Sequence, residues 1–158
     1  MRIRILLILT LLANICLGQQ VVEYDFETGD LSGWIQKPEN RWAISTNSPL
    51  SGSASLWHSF DNSIAYTDTI YRALPAWDIE EGDVTWRFLI RHGYNPSAYN
   101  SWWVYLMTDS NIVNQNLSGY AVGVNLTGSD DLLKLWRIDN GTAQVILTST
   151  LNWETQIG

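Results

Sequence analysis

Cysteine is nearly missing from this chain: its 158 residues include one, Cys16, inside the N-terminal apolar stretch. A disulfide framework is thereby excluded, and stability has to come from burial, hydrogen bonding or a metal ion. Basic residues are scarce too, nine Lys+Arg against sixteen Asp+Glu for a formal charge of −7. That balance excludes a nucleic-acid module that works by neutralising phosphates, because counterion release needs a basic face. Histidine occurs only at His58 and His92, which offers no ligand spacing for zinc. The chain also lacks a Gly-x-Ser-x-Gly elbow, so nucleophilic catalysis has little to draw on. After Ile15, no run approaches the ~20 apolar residues that a spanning helix requires.

Aromatic residues, by contrast, are abundant: nine Trp and seven Tyr in a chain that is 46% hydrophobic. Disordered acidic tails lack such groups, so a packed globular core is expected. Met1 to Gln20 reads MRIRILLILTLLANICLGQQ, with Arg2 and Arg4 ahead of an apolar run and small residues near its end. This is the pattern of a secretory signal peptide, residues 1–18, cleaved after Gly18. Ile15 before Cys16 fits a lipoprotein signal poorly, and the run is too short for an anchor. Without Arg2 and Arg4, seven Lys+Arg face sixteen Asp+Glu, a charge of −9 on a cysteine-free module of residues 19–158. A secreted or cell-surface location follows, and the length suffices for one hydrophobic core.

Short alternating runs bounded by Gly, Asn, Asp, Ser and Pro recur along that module, which reads as all-β. Strands are expected at 21–27, 41–46, 53–59, 64–71, 84–91, 101–108, 120–126, 132–138 and 143–149, a number that suits a sandwich or jelly roll. In the run from Val84 to Arg91, Val84, Trp86, Phe88 and Ile90 form an apolar face, and Thr85, Arg87, Leu89 and Arg91 a mostly polar one. In the run from Tyr120 to Leu126, Tyr120, Val122, Val124 and Leu126 alternate with Ala121, Gly123 and Asn125, whose small size leaves room for something to approach. The run from Ser101 to Thr108 is ambiguous, because Trp102, Val104 and Leu106 compete with Trp103, Tyr105 and Met107 for the core. Asn140-Gly141 is a strong hairpin signal, and with the Gly128–Asp131 turn it predicts a three-stranded meander from Tyr120 to Ser149. Leu151 to Gly158 starts a further strand or loop, so the module is expected to lack its closing strand or strands.

Several of these stretches carry a resemblance. Tyr24-Asp-Phe-Glu-Thr-Gly-Asp-Leu-Ser-Gly-Trp34, Trp42-Ala-Ile-Ser45 and Ser51-Gly-Ser-Ala-Ser-Leu56 resemble the opening of secreted bacterial concanavalin A-like sandwiches. Gly82 to Phe88, Pro96 to Asn100, Val104 to Leu106, Gly119 to Val122 and Asp131 to Trp136 are similar to the N-terminal module of large secreted Bacteroidota surface proteins with a lamin-tail domain. The resemblance implies a concanavalin A-like jelly roll, surface placement and further domains in the same chain. Glu27, in its Phe-Glu-x-Gly setting, resembles a Glu that ligates calcium in related sandwich modules. With Asp25 nearby, this implies a structural calcium, whose hard-cation chemistry suits carboxylate and carbonyl oxygens.

Such folds include glycoside hydrolases, whose chemistry needs paired carboxylates. Asp78-Ile-Glu-Glu-Gly-Asp83 superficially resembles the acidic strand of laminarinase-like hydrolases, but its order differs and a solvated turn explains it better. His58, Ser59 and Asp61 are close in sequence, yet strand neighbours point to opposite faces. No catalytic residue is assigned. The aromatic surplus points to sugars, whose C–H faces stack on Trp and Tyr while their hydroxyls need polar partners; Trp also fills cores, where Trp34 and Trp86 are expected. If Trp103 and Tyr105 share a face with Arg87, Arg91, Ala121, Gly123, Asn125 and Arg137, an aromatic cleft with polar fingers results. The expected function is a non-catalytic recognition or adhesion module for poly- or oligosaccharides, without nucleic-acid partners. The alternatives are a structural spacer or an incomplete or degenerate hydrolase.

Overall fold

The computed structural model describes residues 20–75 and 82–157. The signal-peptide reading, and the Asp78, Glu80 and Glu81 part of the acidic run, lie outside these residues. The described chain is all-β and antiparallel, with one turn of π-helix, Trp153–Ile157. Strands β1 (Ile35–Lys37) and β4 (Thr69–Tyr71) form one pair, and β2 (Trp42–Ser45) and β3 (Ser55–His58) another. The main sheet runs β5 (Trp102–Thr108), β6 (Gly119–Val124), β7 (Leu132–Asp139), β8 (Thr142–Asn152) in sequence order. It contains the expected meander, extended by β5 on one side and by a longer β8 on the other.

The Asn140-Gly141 turn forms because both residues adopt left-handed backbone, with φ of 48° and 78°, which matches the twist of the flanking strands. Register follows from pairing Trp103 with Gly123 and Tyr105 with Ala121, while Trp136 lies across from Ala121 on the other side. Ala121 therefore sits between Tyr105 and Trp136, and Gly123 between Trp103 and Lys134. A Cβ on Gly123 would lie 2.3 Å from the Trp102 carbonyl oxygen and 2.5 Å from the Trp103 Cα, so the room left by glycine is filled by β5 itself.

The strand ambiguity at β5 resolves through a bulge between Tyr105 and Met107. Trp103 and Tyr105 join the face of Ala121, where Leu117, Ala121 and Ile138 form a buried cluster with Ile112, Leu126 and Ala143 against it. Trp136 is fully buried there, its indole N–H donating to Thr127 Oγ1 at 3.1 Å. Lys134 is buried beside it and donates to Asp130 Oδ1 at 2.7 Å. The segments 109–118 and 125–131 thus cover this face of the sheet. On the opposite face Trp102 meets Trp153 edge-on at 4.8 Å.

Two expected strands are not formed. Residues 21–27 lead into a turn in which the Gly29 N–H bonds the Phe26 carbonyl, and 84–91 lies outside every described sheet with Val84, Phe88 and Leu89 exposed. Alternation alone makes no strand without a ladder partner. The 64–71 segment is a strand only over its last three residues. Trp34 and Trp86 are both half-buried.

Side chains link the small sheets. The Gln36 amide accepts from the N–H groups of Arg41 and Trp42, each at 2.8 Å, and donates to the Trp42 carbonyl at 3.0 Å, tying β1 to β2. Asp68, its side chain 4% exposed, accepts from Asn62 Nδ2 and contacts His58 Nε2, both at 2.7 Å, and lies 3.5 Å from Arg41 Nε. This carboxylate fastens the β3–β4 connection to the β2–β3 hairpin.

The close approach at Gly123 is directly testable. Gly123→Ala should push β5 from β6 and lower unfolding free energy by ~1–3 kcal/mol, as overpacking does. Gly82→Ala, where an added Cβ meets nothing within 4 Å, serves as the control in urea denaturation. Equal midpoints for the two variants would contradict the tight β5–β6 contact.

Candidate functional site

At the end of the sheet where the 109–118 connection meets the Asn140-Gly141 turn, an open groove of about 400 Å³ is lined by Ser118, Gly119, Tyr120, Arg137, Ile138 and Asp139. Its shape derives from strand pairing: Tyr120 lies across from Arg137, so the two side chains share the face opposite Ala121. Tyr120 is 41% exposed and offers its ring to solvent. Arg137 and Asp139, two residues apart on one strand, project to the same side and pair at 3.0 Å through Nη2 and 3.1 Å through Nε. The groove therefore sets an aromatic surface beside a charge-balanced fork of donors and acceptors.

Its rim is hydrogen-bonded in several places. Ser118 N–H donates to Asp109 Oδ1 at 2.8 Å, and Asp109 N–H donates back to the Ser118 carbonyl at 2.9 Å. Asn140 N–H donates to Ser118 Oγ at 3.0 Å, and Gly141 N–H to the Leu117 carbonyl at 2.8 Å. Gly141 cannot carry a side chain here, because a Cβ would lie 2.0 Å from the Gln115 carbonyl oxygen. The backbone N–H of Ser118 holds the Asp109 carboxyl below its ordinary value.

The other residues singled out in the sequence are dispersed. Trp103 and Tyr105 do share a face with Ala121 and Gly123, but they are half-buried against the Leu117 cluster. Arg137 is on the opposite face. Arg87 is exposed in the 84–91 segment, and Arg91 donates through Nη2 to the Ser48 carbonyl. Asn125 leaves the strand with φ of 57° and clamps the β6–β7 loop, donating to Asp131 Oδ1 at 2.6 Å and accepting from Asp131 N–H at 3.0 Å. His58 pairs with Asp68 rather than with Ser59 or Asp61; the Ser59 hydroxyl donates to the Arg41 carbonyl at 3.2 Å. Asp83 is exposed.

Glu27 is an anchor between distant segments. Its carboxylate accepts from Ser53 N–H at 2.8 Å and Ala54 N–H at 3.2 Å, seated against Gly52, where a Cβ would be 2.1 Å away. Asp25 accepts from the Glu27 N–H at 3.1 Å within the same turn. Nearby, Tyr24 and Phe26 pack on Trp34 with centroids 5.2 and 5.7 Å apart, and the Arg72 guanidinium covers Tyr24 at 4.8 Å. Among the described residues no group of three or more His, Cys, Asp or Glu gathers, and no helix is long and apolar enough to cross a membrane.

The residues of the groove missed by motif reading are Tyr120, Ser118 and Asp139. Tyr120 carried a signal as the first member of an alternating run, but its exposure depends on what covers that face. Compared with known proteins, the chain matches no family model, no curated protein and no solved structure.

Acid should loosen the rim. A carboxyl depressed in the folded state contributes stability above its unfolded value, and loses it as pH falls through the folded value. Asp109 is held down by Ser118, and Asp130 at the far loop by the hydrogen bond from Lys134. The amide resonance of Ser118 should titrate with a midpoint below 3.8, the ordinary carboxyl value, and Asp109→Asn should abolish that titration. A midpoint at or above the ordinary value would contradict the bond.

Proposed function

We propose that the chain is a secreted, surface-displayed recognition module for poly- or oligosaccharides, built on a concanavalin A-like jelly roll, with the Tyr120–Arg137–Asp139 groove as its binding site. The observation that carries the reading is the side-by-side placement of an exposed tyrosine ring and an Arg–Asp fork in one open groove. A pyranose presents an apolar C–H face and a rim of hydroxyls. Tyr120 supplies the matching platform, while Arg137 donates to and Asp139 accepts from adjacent hydroxyls. Open grooves take internal stretches of a chain, which suits adhesion to a polymer. Trp103 and Tyr105 contribute to this reading by filling the sheet's covered face, so that Tyr120 is presented by a firm scaffold.

Tyr120→Ala and Arg137→Ala should each weaken retention on immobilised polysaccharide by roughly tenfold, about 1.4 kcal/mol, with melting temperature unchanged. Trp103→Ala should instead lower stability by ~2–3 kcal/mol, below the ~3–5 kcal/mol cost of truncating a fully buried aromatic, because Trp103 is half-buried. Retention lost in Trp103→Ala at unchanged stability, and kept in Tyr120→Ala, would move the site to the other face.

A structural calcium at Asp25 and Glu27 belongs to the same proposal. Both carboxylates lie in the turn that Glu27 fastens to Gly52–Ala54, a junction that a hard cation with oxygen ligands would reinforce. Calcium should raise the melting temperature and Glu27→Gln should remove the increase. An identical melting temperature in calcium and in chelator would leave the hydrogen bonds of Glu27 as the entire junction.

A further inference from the structure

The outer edge of β8 is unlike the rest of the main sheet. β8 is the longest strand, eleven residues reading TAQVILTSTLN, and it ends the sheet order. It contains no Lys, Arg, Asp, Glu, Pro or Gly, in a chain of net charge −7. Val145, Ile146 and Leu147 at its centre are 44%, 52% and 58% exposed. The opposite edge, β5, is half-buried along its full length. An edge strand presents a row of unpaired N–H and C=O groups, and proteins usually blunt it with charge, proline or short length. Of such devices β8 has only bulges: one register shift leaves Ile146 as an extra residue between Val145 and Leu147, and a second falls between Thr148 and Asn152, opposite Leu132 and Lys134.

We propose that β8 pairs antiparallel with β8 of a second copy of this chain, joining two four-stranded sheets into one of eight. Charge identifies the occupant. When a strand pairs with its own copy across a two-fold axis, any charge near the centre meets its like, which is destabilising. A strand without charge escapes that penalty, and an acidic chain meets its copy with least repulsion there. The exposed Gln144, Thr148 and Thr150 supply cross-strand partners of the kind that Thr pairs provide, around an apolar centre of Val145, Ile146 and Leu147. A two-fold arrangement closes after two copies, which distinguishes it from open-ended strand addition. It would set two Tyr120 grooves in one assembly, though the pairing stands independently of what those grooves bind.

Sedimentation velocity across a concentration series tests the pairing on the purified chain. The wild type should show a reversible monomer–dimer equilibrium. Ile146→Lys should raise the dimer dissociation constant at least about tenfold. Thr150→Lys, which replaces an exposed polar side chain and spares the apolar centre, should weaken it in the same direction with unaltered circular dichroism. Thr148→Val should keep or tighten the dimer. A wild type that stays monomeric throughout the series overturns the proposal, as does a dimer that persists in both lysine variants. Unlimited growth into larger species overturns the two-fold closure.

Discussion

Everything in the main sheet depends on how closely β5 can approach β6. The distance is set by Gly123 and Gly119, where an added Cβ would lie 2.3 Å from the Trp102 carbonyl oxygen and 2.0 Å from the Met107 carbonyl oxygen. With β5 in place, Trp103 and Tyr105 stand on the same face as Trp136 and Ile138, and the connections at either end fold over them. A larger residue at Gly123 would clash with backbone rather than with a flexible side-chain end. The contact is therefore of the kind that packed interiors do not absorb cheaply.

The two faces of the sheet are covered by different segments. The face of Ala121 is covered by 109–118 and 125–131, and its polar groups are consumed internally: the Trp136 N–H by Thr127, the Lys134 ammonium by Asp130. The opposite face buries Val124 and packs Trp102 against Trp153 at one end, and at the other keeps Tyr120, Arg137 and Asp139 as an accessible group. Chemistry available to a ligand thus lies where the segments fail to fold over. The outer edge of β8 is the second uncovered place, and it lacks the charge that the groove carries. On this account recognition and self-association use different parts of one sheet, each fixed by register.

Much of this architecture was legible in the sequence, and the reasons can be named. β2, β3 and the four strands of the main sheet follow period-two alternation bounded by turn residues, and Asn140-Gly141 adopts the left-handed backbone that its composition indicates. β1 was not legible because its three residues show no alternation; the Gln36 side chain completes its link to β2. The 84–91 segment alternates as a strand does, but a strand is a property of a pair, and no sheet among the described residues includes it. For the site, Arg137 is legible as an exposed polar residue on the meander, whereas its neighbour across the strands is not. Whether Arg137 stands with Ala121 or with Tyr120 depends on the β6–β7 register, which cannot be read from either strand alone. Asn125 shows the same limit: its left-handed turn removes it from the face that alternation gave it.

The central claim is that a sugar meets the Tyr120 face of the sheet and not the Trp103 face. Side-chain resonances followed by NMR during titration with a neutral oligosaccharide test it most directly. The account predicts saturable shifts confined to the Tyr120 ring and the Arg137 guanidinium, with the indole of Trp103 and the ring of Tyr105 unmoved. Shifts centred on Trp103 and Tyr105, with Tyr120 and Arg137 silent, would contradict it.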